Sequence, residues 1–187
     1  MSDFEFVFSL FGLLLGLSLA ELLGGLARTI ERRLRPGGTF RIGWLTPLLA
    51  IFVLLDLLSF WSAAWFVRGS IAVTGETLMF VTLFAGVYYL AAHLVFPGDA
   101  DGTPDLDQHF FRVRRIVLGG MLLLLAAQLL FYLVTPALAP ALYRPLSVVL
   151  TIVLALLIGA AMMVRGPYAA RIIMLLLIAR YVVVYLL

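Results

Sequence analysis

The feature that most constrains this chain is a set of six long apolar runs, at residues 4–26, 44–66, 78–96, 116–134, 146–164 and 169–187. A helix rising ~1.5 Å per residue needs about 20 such residues to cross a hydrocarbon core of ~30 Å. Lipid offers no water to the backbone, so a spanning segment must satisfy its own amides as a helix or join a closed barrel. Barrel strands alternate apolar and polar residues, whereas these runs are apolar throughout. The expected fold is therefore an all-α integral membrane protein, one transmembrane domain over residues 1–187 formed by a bundle of six helices. Composition agrees: 12% of residues are charged, about half the share in a soluble domain. The first run is read as a retained helix, not a cleaved signal. Asp3 and Glu5 stand where a basic leader would be, and the positive charge lies behind the run.

The basic residues orient the bundle. All thirteen are arginine, which excludes chemistry that needs a lysine Schiff base. Arg28, Arg32, Arg33, Arg35, Arg41, Arg112, Arg114, Arg115, Arg165 and Arg171 fall at one set of turns and helix ends. Arg68 and Arg144 fall at the other, and Arg180 lies within the last run. The positive-inside rule then puts the arginine-rich end in the cytoplasm and both termini on the outer, periplasmic side of a bacterial inner membrane. Arginines gathered at helix ends make no extended basic face, so nucleic acid is not an expected partner. Cysteine is absent, which excludes thiolate catalysis, disulfides and iron–sulfur ligation.

Proline and glycine mark the turns. Arg35–Gly38 ends the first helix, which the sequence allows to run on to Arg33, and Pro97–Gly98 ends the third. Residues 97–115 form the longest polar stretch, a cytoplasmic loop with a turn at Thr103–Asp105. From Leu106 onward a short interfacial helix merging with the fourth crossing is an alternative. The run from Ser18 to Leu23 resembles that from Leu125 to Leu130, on helices that cross in opposite directions. Two inverted three-helix repeats would produce that likeness, as would chance in a leucine-rich chain.

Four groups look costly at their depth inside the apolar runs: Glu21, Asp56, Gln128 and Arg180. A lone charge at mid-bilayer costs about 2.5–3.5 kcal/mol by insertion scales, so such residues face a bundle interior or a cavity. Asp56 is mid-helix, and Arg180 falls near the same depth from the opposite direction, so the two could pair. Glu21 lies toward the cytoplasmic end, seven residues from Arg28 on one helical face. These four residues are candidates for an ion path or gate. Fixing helix registry by a buried bridge is the competing reading.

Three further groups are candidates. His93, Asp105, Asp107 and His109 gather at the arginine-rich end, and a divalent cation could bind two imidazoles and two carboxylates there if the loop were extended. The alternative is an acidic loop paired with its own arginines. Two histidines flanking one short loop suit opposite faces of a haem poorly. Arg28, Arg112, Arg114 and Arg115 could hold a phosphate or lipid head group. Gly12, Gly16, Ala20 and Gly24 make a small-residue ladder that lets another helix approach closely. A second stripe of this kind is Ser147, Thr151, Ala155 and Gly159.

The first functional expectation is a channel or transporter for a small ion, a cation or proton, using intramembrane carboxylates. The second is a non-catalytic module binding a partner protein or lipid. The third is a lipid-phosphate-modifying enzyme with its site at the cytoplasmic surface, although no serine–histidine pair or glycine-rich phosphate loop stands out. Lipids, a small ion and further copies of the chain, as a homo-oligomer, are the expected partners.

Overall fold

The computed structural model describes residues 3–35, 40–67, 72–98, 105–142 and 144–186. The expected stops at Pro36–Gly38 and Thr103–Pro104 fall outside these residues. The elements are α1 (Asp3–Leu34), α2 (Leu45–Phe66), α3 (Gly75–Val95), α4 (Leu106–Val134), α5 (Ala139–Leu142), α6 (Pro145–Met163) and α7 (Pro167–Leu186). All but the one-turn α5 are long and apolar enough to cross a membrane, which makes six such helices among the described residues. Among the described residues there is no strand, only an isolated bridge between Arg41 and Asp105.

Capping residues explain where several helices begin. Thr74 accepts a hydrogen bond from the Thr77 amide at 3.1 Å, which starts α3 at Gly75 rather than at residue 78. Asp105 does the same for α4, accepting from the Asp107 amide at 2.8 Å. Residues 106–115, expected as loop or as a short helix merging with the fourth crossing, are the first turns of one continuous helix of 29 residues, as the second reading has it. At ~1.5 Å per residue it is about 43 Å long, well beyond the hydrocarbon thickness. The start of α2 is capped from a distance: Leu45 donates to Asp107 Oδ1 at 2.9 Å, and Thr46 Oγ1 donates to the Leu106 carbonyl at 2.7 Å. Pro145 and Pro167 open α6 and α7 at positions where a missing amide hydrogen costs little.

The packing is uneven. α1 leans chiefly on α3, α3 also meets α4, α2 lies against α7, and α6 fits between α4 and α7. The two halves thus pair differently, since α1 favours the third helix of its half while α4 favours the adjacent α6. Buried Leu15, Leu49, Phe52, Phe110, Val117 and Met174 fill the centre. Leu13, Leu83, Ile116, Leu156 and Leu175 point outward, a surface that suits lipid rather than water. At the end opposite the arginines, Phe8 meets Trp61 edge-on at 5.2 Å and Phe4 meets Trp65 at 5.9 Å, which joins α1 to α2.

α1 buries Val7, Phe11, Leu15, Ser18 and Leu22. Its small-residue ladder lies beside that face. Gly12 is packed under the Trp61 ring and Gly24 lies beside Arg28 Nη1, whereas Gly16 has open space around it and Ala20 is exposed. The close approach occurs at Gly25, where a Cβ would stand 2.6 Å from the Phe96 ring.

Candidate functional site

Asp56 lies in the middle of α2, where the neighbours along the helix are apolar. Its carboxylate accepts hydrogen bonds from two phenols, Tyr88 on α3 and Tyr181 on α7. Both tyrosines are almost fully buried, at 1% exposure each, and so each hydroxyl needs a partner, which Asp56 supplies. Three helices thus converge on one carboxylate.

One side of Asp56 faces a cavity of about 220 Å³ between α2, α3, α4, α6 and α7. Its polar lining comprises Asp56, Ser59, Tyr88, Gln128, Tyr132, Ser147, Thr151, Arg180 and Tyr181. That volume has room for several waters among groups able to bond them. Asp56, Gln128 and Arg180, expected separately as costly intramembrane groups, therefore share one chamber. Ser147 and Thr151, the start of the α6 small-residue stripe, form its far wall.

The expected direct ion pair between Asp56 and Arg180 is absent. The tyrosine hydroxyls occupy the carboxylate, and Arg180 makes no hydrogen bond or ion pair with a described residue. Arg180 Nε is buried without a hydrogen-bond partner, and the guanidinium carbon lies 4.7 Å from the Tyr181 ring centroid. Phe52 and Tyr181 pack edge-on at 5.9 Å on the side of Asp56 toward the arginine-rich end. Beyond them Leu45, Leu49, Ala92 and Val95 are buried and apolar.

Glu21 lies elsewhere. Its Oε1 accepts from Arg28 Nη2 at 2.9 Å and stands 3.1 Å from His93 Nδ1, at the arginine-rich end. It lines neither of the cavities described here. His93 is thus occupied by Glu21 and stacks on Tyr89.

The other expected metal ligands have duties of their own. Asp105 caps α4, Asp107 holds Leu45 and receives Arg171 Nη2 at 3.2 Å, and the His109 ring contacts the Leu94 carbonyl at 3.1 Å. No three histidine, aspartate or glutamate residues converge among the described residues. The physical reason is that Asp107 and His109 lie in a helix, where residues two apart point about 200° apart, rather than in an extended loop.

The arginine set is similarly dispersed. Arg28 is engaged by Glu21. Arg114, 5% exposed, donates through Nη1 to the Ala161 and Val164 carbonyls and so closes the end of α6, with its guanidinium 4.7 Å from the Phe111 ring centroid. Arg112 and Arg115 are exposed along the same helix.

A second cavity of about 120 Å³ adjoins the first. It is lined by aromatic and aliphatic side chains of α1, α2, α3 and α4, and it shares Phe60, Phe84, Gln128 and Tyr132 with the polar chamber. Phe60 and Phe84 stack at 4.2 Å and form part of the partition.

Tyr181, Ser59 and Tyr132 went unmarked in the sequence. Their signal was there to be read: a mid-membrane carboxylate needs donors at its own depth, and Tyr181 directly follows Arg180. Comparison with known proteins gives no match to a family, to a curated protein or to a solved structure.

Proposed function

We propose that this chain is a multi-pass membrane transporter of a proton, or of a small cation in its place, with Asp56 as the carrier group. The observation behind this reading is the chamber itself: a mid-helix carboxylate, held by two buried phenols, beside about 220 Å³ of polar space. Ionisable groups at that depth are costly and by default functional. Protonating either oxygen of Asp56 weakens the tyrosine bond it accepts, which couples charge to the grip of α2 on α3 and α7.

A carrier is favoured over an open pore. Buried Leu45, Leu49, Phe52, Ala92 and Val95 fill the path from Asp56 toward the arginine-rich end. Transport then requires the helices to open alternately to each side. On this reading Glu21, Arg28 and His93 form a gate on the arginine-rich side rather than a step in the chamber. The arginine distribution favours a cytoplasmic position for that side and a periplasmic one for both termini, in a bacterial inner membrane. A homo-oligomer assembled through the α1 ladder belongs to the same proposal, whereas the unlike pairing within the two halves speaks against inverted repeats.

The test is proton flux into vesicles containing the purified protein, under an imposed gradient, for wild type and Asp56→Asn. Flux in the wild type and at least a tenfold loss in the variant are expected. Negligible flux in both, or equal flux in both, would remove the reading.

The apolar cavity favours a second reading, a module that binds a lipid chain or partner there. Flux would then be absent, and a spin-labelled lipid would be immobilised in the wild type but released when Ala64 at the cavity wall is enlarged to Phe.

A further inference from the structure

Arg180 is the group that proton carriage by Asp56 leaves unexplained. It is a permanent cation in the last crossing, lining a polar chamber and making no ion pair or hydrogen bond with a described residue. Asp56 is near enough to share the chamber, yet its two oxygens are taken by Tyr88 and Tyr181. Asp56 compensates Arg180 only through space, without contact, so the guanidinium keeps its hydrogen-bonding edge open to an anion that would pair with it directly.

The wall around it carries neutral hydrogen-bonding groups: Gln128, Tyr132, Ser147 and Thr151. A guanidinium fork with amide and hydroxyl donors around it is the donor set that recognises a carboxylate. The volume, about 220 Å³, suits a small organic acid better than a lipid.

We propose that the polar chamber binds a small monocarboxylate, with its carboxylate on Arg180 and its body among Gln128, Ser147 and Thr151. This deepens the transporter reading by naming a substrate class. The charged and titratable groups facing the chamber from the packed helices are Asp56 on α2, Tyr88 on α3, Tyr132 on α4, and Arg180 and Tyr181 on α7, with Tyr185 on α7 also near Asp56; α6 contributes none. Asp56 and the ligand thus compete for one positive charge. Neutralising Asp56 strengthens the pull of Arg180 on an anion, so a proton and a carboxylate load together and leave the net charge of the site unchanged.

The experiment is acetate binding to the purified full chain in detergent, followed by saturation-transfer NMR, with chloride as competitor. Wild type should bind acetate saturably, and chloride should displace it at least tenfold less well than unlabelled acetate does. Arg180→Gln should weaken binding at least tenfold and Arg180→Lys should restore part of it. Asp56→Asn should tighten binding several-fold, an opposite sign that mere loss of structure would not give. Absence of binding in the wild type overturns the proposal, as does unchanged affinity in Arg180→Gln or in Asp56→Asn. Equal displacement by chloride overturns the carboxylate assignment. Proton flux measured on the same samples separates the two ideas. Flux without acetate binding leaves only the proton reading, and acetate binding without flux leaves only the binding site.

Discussion

Replacing Asp107 should loosen one end of the bundle by an amount the geometry sets. Its Oδ1 accepts from the Leu45 amide at 2.9 Å, and its Oδ2 receives Arg171 at 3.2 Å. The first contact caps α2, and caps are worth about 0.5–2 kcal/mol. The second is partly exposed, with side-chain exposures of 42% for Arg171 and 19% for Asp107, and an ion pair of that kind contributes at most about 1 kcal/mol. Asp107→Ala should therefore cost about 0.5–3 kcal/mol, or roughly 1–12 °C in midpoint for a chain of this size. Gly43 supplies an independent check. It has an ordinary backbone φ, but a Cβ there would overlap the Asp107 carboxylate. Gly43→Ala should act by displacing that carboxylate and cost a similar amount. In the Asp107→Ala background it should cost under about 0.5 kcal/mol, a non-additive cycle. Thermal unfolding in detergent, followed by circular dichroism on all four proteins, gives the answer. Additive costs, or a change below 0.5 kcal/mol for Asp107→Ala, would refute the reasoning.

Two further outcomes are expected. Gly25→Ala places a methyl 2.6 Å from the Phe96 ring and should destabilise the α1–α3 contact by about 1–3 kcal/mol in the same melt, since both Phe96 Cβ and ring are close. A Cβ at Gly16 meets nothing within 4 Å and the position is exposed, so the melting point of Gly16→Leu should hold, while light scattering should show the oligomer dissociating if the α1 ladder is the contact. A wild type that is already monomeric would end the oligomer proposal.

The six long apolar helices were legible because a helix that could span lipid needs an uninterrupted apolar run of about 20 residues. The sharing of a chamber by Asp56, Gln128 and Arg180 was also within reach, since each had a depth that could be counted from a helix end. What escaped was local. Thr74 and Asp105 start helices through polar first turns, which hydropathy alone does not score. Glu21 could reach Arg28 on its own helix, but its contact with His93, 72 residues away, needs the fold. The proposed cation site failed on a single geometric premise: Asp105, Asp107 and His109 align only in extended chain, and the cap at Asp105 turns them into a helix.

The knot at Asp107 has a consequence for how the chain is made. The Leu45 amide finds its acceptor 62 residues later, and that acceptor meets Arg171 only after a further 64. Emerging from the ribosome, the second crossing has an unmet first turn until the fourth arrives, and the seventh helix docks last onto a junction already formed. Biogenesis of this bundle is thereby ordered in time, each newly synthesised segment completing an end left open by an earlier one.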